Sequence, residues 1–279
     1  MPIDRDEYRE ASHEVWERIA VNWDSEREYI YSVTGPVSKR IVERVDPQPG
    51  DTVLDLAAGT GDTGFLAAAM IGGEGKLIST DFAPAMVDAA RDVSTQLGLG
   101  NVEHRVLDAE HMNLDDSSVD RVLCRFGYML MADPAAALGE TRRVLRDGGR
   151  LSFAVWTTPD ENPWAFLAGV VLVERGHLPA PEPGDPGIFA MGDPERIREL
   201  VSGAGFAEPE IEQVEIGWPY EDAEEHWSLT RKLAGPLADA IDRLDEDERE
   251  SVRADIRSRI DPLIAEGPVP GRVHVVTTT

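Results

Sequence analysis

Hydrophobic and polar positions along this chain change period from segment to segment. Over residues 8–45 apolar positions recur at helical spacing, as in Trp16, Ile19 and Ala20, and Gly35-Pro36 reads as the start of a second helix. Pro47-Gln48-Pro49-Gly50-Asp51 is turn chemistry. Beyond it, short apolar runs alternate with longer amphipathic stretches. Thr52–Leu56, Lys76–Thr80, Val102–Val106, Val119–Cys124 and Arg150–Trp156 predict five strands. Helices are predicted near 61–72, over Pro84–Gln96 and over Pro134–Leu145, and Asp147-Gly148-Gly149 predicts a sharp turn into the fifth strand. Repeated strand–helix alternation predicts a parallel sheet with helices on both faces.

The order changes after Trp156. Residues 157–192 are rich in proline and carry an apolar helix near Pro163–Arg175, which reads as an insertion. A helix over Asp193–Ala204, a strand over Glu208–Ile216, a charged helical lobe over 220–265 and a β-branched run over Gly271–Thr277 complete the chain. The expected division is a helical cap at 1–45, an α/β core at 46–156, and a segment at 157–279 that holds the insertion, the lobe and the last two strands of the same domain.

Charge narrows the choice of partners. Lys and Arg number 27 and Asp and Glu 53, a net charge of −26. Such a surface repels phosphate backbones and anionic membranes, so nucleic acid and membrane are excluded as main partners. No apolar run is long enough to span a bilayer, and the charged start, Asp4-Arg5-Asp6-Glu7, is unlike a secretory signal. The expectation is a cytoplasmic protein. A single cysteine, Cys124, excludes an internal disulfide and any multi-cysteine metal site. No histidine pair has metal-ligand spacing, so no metal is expected.

The candidate chemistry starts at Gly59-Thr60-Gly61-Asp62-Thr63-Gly64, a GxGxxG turn between a strand and a helix. On pattern alone it is a dinucleotide fingerprint. Asp62 argues against that, because a carboxylate at the helix start repels the pyrophosphate that would bind there. Asp55 inside the strand and the roughly fifty preceding residues also argue against it. A ligand with a ribose, an adenine, an amino acid and a positive charge fits better. Asp81 ends the second strand and can accept both ribose hydroxyls. Phe82 offers a flat face for adenine. Asp108 follows the third strand and can accept from the adenine amine.

With those residues in place, Val53-Leu54-Asp55-Leu56-Ala57-Ala58-Gly59-Thr60-Gly61 resembles motif I of the class I S-adenosylmethionine-dependent methyltransferases. Asp81, Asp108-Ala109-Glu110 and Leu145-Arg146-Asp147-Gly148-Gly149-Arg150-Leu151 resemble the later motifs of that family, in order, over roughly residues 45–156. The flanking segments resemble the ubiquinone/menaquinone methyltransferase-like subgroup in layout. The resemblance implies a Rossmann-like seven-stranded, mostly parallel sheet with the last strand antiparallel, supplied by Val273–Thr277. It implies S-adenosylmethionine as cofactor, with Gly59 and Gly61 letting the backbone approach its amino-acid part and Ala57 lining the same turn; Asp55, near the end of the strand, either fixes the loop through backbone N–H groups or contacts the cationic ligand. Asp81 would bind the ribose, Phe82 and Met86 would flank the adenine, and Asp108 and Ala109 would read its edge. Arg125 and Phe126 would lie under the methionine.

The acceptor side is less marked. Trp23, Tyr31, Tyr128, Met131 and Trp156 are candidates for a substrate wall, with Trp164, Trp218, Tyr220 and Trp227 as further aromatics near the lobe. A general base is required only for a protonated acceptor, and Tyr128, His111 and His226 are the candidates. His111 also reads as a solvated loop residue, His226 as a residue on a helix face and Glu110 as a loop residue. Cys124, in a buried strand, reads as packing. The expected activity is methyl transfer to a small-molecule acceptor, aromatic or quinone-like. An NAD(P)-dependent oxidoreductase and an inactive cofactor-binding module are the alternatives.

Overall fold

The computed structural model describes residues 4–182 and 184–279. Its first helix, α1 (Arg5–Ser25), starts where the Asp4 carboxylate accepts the N–H groups of Asp6 and Glu7. That cap satisfies two of the donors a helix start leaves open. Glu26 alone separates α1 from α2 (Arg27–Val45). The helix break therefore falls at Glu26, and Gly35-Pro36 lies inside α2. A proline there removes a backbone donor at a cost of about 3 kcal/mol. Val33, Val37, Ile41, Val42 and Val45 nevertheless form one buried face that continues through it, and packing of that face overrides the local signal.

Seven strands form one sheet in the order β3-β2-β1-β4-β5-β7-β6. They are β1 (Thr52–Asp55), β2 (Lys76–Asp81), β3 (Val102–Val106), β4 (Val119–Arg125), β5 (Leu145–Trp156), β6 (Glu210–Trp218) and β7 (Val269–Thr278). β7 runs antiparallel to both β5 and β6, and the pairs from β3 to β5 are parallel. The turn expected at 147–149 is a bulge within β5: Val119 pairs with Leu145, Arg121 pairs with Arg150, and Gly148 takes φ +77° between them. α3 (Asp62–Ile71), α4 (Pro84–Gln96) and α5 (Pro134–Val144) connect the parallel strands. Because the chain winds outward from β1 in both directions, a crevice opens at the carboxyl ends of β1 and β4, where open α/β sheets bind ligands.

The inserted segment contributes α6 (Pro163–Glu174), and α7 (Pro194–Gly203) precedes β6. Between β6 and β7 lie α8 (Ala223–Leu233), α9 (Gly235–Asp242) and α10 (Glu246–Glu266). α6 joins this lobe: Ala168, Val171 and Leu172 share a second core with Trp227, Ala240, Ile241, Val252 and Ile256. α1 bridges the two parts, resting on α4 and on the lobe. Trp23 Nε1 donates to the Leu233 carbonyl at 3.2 Å, and Arg18 pairs with Asp239 at 2.7 Å. No helix among the described residues is long and apolar enough to cross a membrane.

Candidate functional site

The loop after β1 has three glycines with three different reasons. Gly61 takes φ +89°, a conformation that glycine adopts without strain. A Cβ on Gly64 would stand 2.5 Å from Asp55 Oδ2, so this glycine serves the fold itself. Gly59 takes φ +54°, and no atom lies within 4 Å of where its Cβ would be. That leaves open space beside the loop. Ala57 also holds a positive φ of 50°.

Asp55 is wholly buried at the end of β1. Its Oδ2 accepts the Gly64 N–H at 2.8 Å, while Oδ1 has no partner. Burial pushes its carboxyl up to about 7, against the pull of the Arg125 guanidinium. One oxygen thus fixes the glycine loop, and the other is left for a donor or cation.

Asp81 ends β2 with its carboxylate buried. Oδ2 accepts the Gly59 N–H at 2.9 Å and Oδ1 the Ala83 N–H at 3.1 Å. Each carboxylate oxygen has two lone pairs, so each retains one. Burial pushes this carboxyl up to about 6, with the backbone donors opposing it. Phe82 is half-buried, edge-on to His13 of α1 at 5.4 Å. Met86 is fully buried with Ala20 and Ala83, under Trp16 and Trp23. It packs α4 against α1, and Trp23 belongs to the same contact.

After β3, Asp108 Oδ1 accepts the Glu110 N–H at 2.8 Å and Oδ2 lies 3.6 Å from Arg9 Nε. Ala109 is buried beside it. Glu110 is also buried, and Arg9 Nη2 pairs with its carboxylate. α1 therefore closes over this end of the crevice through Arg9. Neither Arg9 nor its ion pair was marked in the sequence analysis, because a lone arginine on an exposed-looking helix carries no local signal.

At the other end, Arg125 closes β4. Its Nη1 donates to Thr34 Oγ1 at 2.5 Å and reaches Ser38 Oγ at 3.4 Å, both on α2. Burial lowers its pKa, and Asp62, Asp55 and Tyr31 counter that effect. Asp62, the first residue of α3, is buried and paired with Arg27 at 2.5 Å. A buried carboxylate thus occupies the helix start where a pyrophosphate would have to sit. Tyr31 lies along α2 against Gly35.

Phe126 takes φ +64° and stacks on Trp156 at 4.4 Å and 11°. Trp156 meets Trp164 at 4.8 Å, and Trp164 stacks on Trp218 at 4.3 Å. The array continues to Tyr220 and Tyr29, each 6.2 Å from Trp218. Tyr29, at the start of α2, was not among the candidate aromatics.

Two candidates from the sequence are corrected here. Tyr128 is wholly buried in a single 3-10 turn, edge-on to Phe153 at 5.1 Å, with its hydroxyl 2.7 Å from Thr141 Oγ1. Burial raises its pKa well above the usual range. It is a core residue, neither a base nor a substrate contact. His226 is not on an exposed helix face: it is completely buried, with Nε2 2.8 Å from the Trp164 carbonyl. His111 is exposed on the loop after β3. Met131 lines a cavity of about 20 Å³ with Met191 and Leu200, between α7 and the insertion. Burial pushes the Cys124 thiol up to about 12, so it is inert packing.

Comparison with known proteins places this arrangement. A family described as "Methyltransferase domain" matches residues 47–168. The ubiquinone/menaquinone biosynthesis C-methyltransferase of Acidiphilium cryptum is 35% identical over 177 residues, 60% of this chain and 70% of that protein. The nocamycin O-methyltransferase of Saccharothrix syringae is 27% identical over 266 residues, 90% of this chain and 94% of that one. The solved Haemonchus contortus phosphoethanolamine N-methyltransferase 2 in complex with S-adenosyl-L-methionine superposes with a TM-score of 0.54 at 17% identity, over 88% of this chain and 52% of that one. The chain belongs to the S-adenosylmethionine-dependent methyltransferases, in the ubiquinone/menaquinone methyltransferase-like group. Its relatives act on small molecules, and their names cover transfer to carbon and to oxygen.

Proposed function

We propose that the crevice at the ends of β1 to β4 binds S-adenosylmethionine along its length. Adenosine lies toward Asp81, Phe82 and Asp108, and the methionine part toward Asp55, Gly59 and Arg125. The observation that carries this reading is Asp81: both oxygens are oriented by backbone N–H groups, and each keeps one lone pair. That pattern suits two adjacent ribose hydroxyls. The open space at Gly59 and the unpartnered Asp55 Oδ1 fit the amino-acid part and its positive charge. Arg125 and Arg27 supply positive charge for its carboxylate.

When bound, the cofactor supplies an activated sulfonium methyl that an acceptor atom takes by in-line displacement. The chain's task is then to align and to exclude water, which can supply ~7–11 kcal/mol of the barrier. α2 roofs the methionine end through Tyr31, Thr34 and Ser38, and α1 covers the adenosine end, so these two helices act as the cap. Phe126 and Trp156 form the wall on which an aromatic small-molecule acceptor stacks.

The test is calorimetric titration with S-adenosylhomocysteine and, in parallel, NAD. The wild type is expected to bind the first and not the second. Asp81→Asn keeps one acceptor oxygen and turns the other into a donor, so binding is expected to weaken by about 10- to 100-fold, the value of one hydrogen bond to a charged group. Binding of NAD alone would overturn the reading.

A further inference from the structure

α1 presents one stripe of side chains to the adenosine end of the crevice. Arg9, His13, Trp16, Ala20 and Trp23 follow one another at steps of three or four, so they share a helix face. That face meets the strand ends that the cofactor reading uses. Trp16 and Trp23 cover Met86, and His13 lies edge-on to Phe82 at 5.4 Å. Glu17, one turn past His13, accepts the Ala85 N–H at 2.9 Å at the start of α4. Arg9 heads the stripe and reaches the loop after β3. That loop is itself joined to the end of β2: the Leu107 N–H donates to the Asp81 carbonyl at 2.9 Å, and Asp108 follows.

The Arg9 guanidinium is anchored at both of its terminal nitrogens. Nη1 pairs with Asp6 Oδ1 at 2.7 Å, and Nη2 with the buried Glu110 carboxylate. Its Nε is buried and makes no hydrogen bond. This nitrogen stands 3.6 Å from Asp108 Oδ2, an ion-pair contact just short of a hydrogen bond. The other Asp108 oxygen, Oδ1, accepts the Glu110 N–H at 2.8 Å. A carboxylate held at one oxygen alone still turns broadly about its last torsion. The planar guanidinium, itself fixed, limits that turn. Oδ2 accepts no hydrogen bond in the ligand-free chain, so its lone pairs are free for a donor. A carboxylate only accepts, so it suits a base edge that carries an amine and repels one that carries a carbonyl.

We propose that Arg9 is a positioning residue for base recognition. Glu110 fixes Arg9, Arg9 fixes the Asp108 carboxylate, and Oδ2 of that carboxylate accepts from the exocyclic amine of an adenine. Asp108 touches the base, and Arg9 acts through it. The consequence is selectivity for an aminopurine over an oxopurine cofactor, set in part by a helix some hundred residues upstream of the loop that reads the base. This inference rests on the cofactor reading of the crevice.

The experiment titrates the full chain with S-adenosylhomocysteine and with S-inosylhomocysteine, in which a carbonyl and a ring N–H replace the amine edge. The wild type is expected to prefer the first. In Arg9→Met that preference is expected to fall about 5-fold, the value of one ordinary hydrogen bond. Arg18→Gln cuts a different tie of α1, the pair with Asp239. General loosening of the helix weakens both ligands alike, so the preference is expected to hold in Arg18→Gln. Arg9→Met together with Glu110→Gln removes the cation and the buried carboxylate at once. Its Tm is expected to recover relative to Arg9→Met, because no buried charge is left unpaired, while the preference stays low. A preference unchanged in Arg9→Met, or restored along with Tm in the double variant, would mean that Arg9 serves only the fold, and would overturn the proposal. So would a wild type that binds both ligands equally. Failure of the wild type to bind S-adenosylhomocysteine would instead overturn the cofactor reading on which the proposal stands.

Discussion

Asp55 and Gly64 are matched to each other, whereas Gly59 borders open space, and this separates fold from function at single residues. Gly64→Ala would drive a methyl group into Asp55 Oδ2, and a loss of about 1–3 kcal/mol in unfolding free energy is expected. Gly59→Ala meets no neighbour and bears only the cost of its left-handed backbone, about 1–2 kcal/mol. Its larger effect is expected on S-adenosylhomocysteine affinity, because the methyl would intrude into the cradle. Denaturant melts and titrations on both variants check the contrast.

Titration gives a second test at this scale. Asp55 and Asp81 are raised from 3.8 to about 7 and about 6. Between those values and 3.8 the folded chain holds protons that the unfolded chain has released. Their contribution to stability therefore falls as pH rises through that window, and levels off above about 7. His104, His226 and His274 are lowered by burial and pull the other way. The difference between wild type and Asp55→Asn isolates the carboxylate. The variant is expected to gain stability relative to wild type as pH rises from 5 to 8, measured by denaturant midpoints. A difference that stays flat would contradict the burial argument.

Among the elements, α1 is the one whose role depends on contacts far along the chain. It rests on α4 through Trp16, Trp23 and Ala20, and holds Glu110 through Arg9. Arg9→Ala leaves a buried carboxylate without its cation, and a loss of about 1–3 kcal/mol is expected. If α1 covers the adenosine end, ligand binding should slow its opening. Amide hydrogen exchange in residues 5–25 is expected to fall when S-adenosylhomocysteine is added and to stay high in Arg9→Ala without ligand. Equal exchange with and without ligand in the wild type would remove α1 from the site. The sequence pattern marked this helix as part of a cap but not its contact with Glu110, and it misplaced the break between α1 and α2. Gly35-Pro36 is a strong local stop signal, and only the continuous buried face of α2 explains why the helix runs through it.

For the whole molecule, the legible part of the site is the part built from residues close in sequence. Asp55, Gly59, Asp81 and Asp108 each sit at a strand end next to a turn, and strand–turn spacing carries them together in any parallel sheet. The aromatic array was legible as residues but not as an arrangement: Trp156, Trp164, Trp218 and Tyr220 were marked and Tyr29 was not, and they meet only after the insertion and lobe have folded onto the sheet. Tyr128 shows the same limit: its position just past β4 suggested the site, but the 3-10 turn directs its ring into the core against Phe153. The parallel α/β core followed from alternation, whereas the seven-strand count and the antiparallel last strand came only with the family resemblance; the β3-β2-β1-β4-β5-β7-β6 order puts the crevice where both halves of the sheet turn away.

The most direct test of the central claim is a crystal structure of the chain with S-adenosylhomocysteine. The account predicts both ribose hydroxyls within about 2.5–3.0 Å of the Asp81 carboxylate oxygens, with the amino-acid part beside Gly59 and Asp55. A ligand bound elsewhere, or a ribose turned away from Asp81, would contradict it.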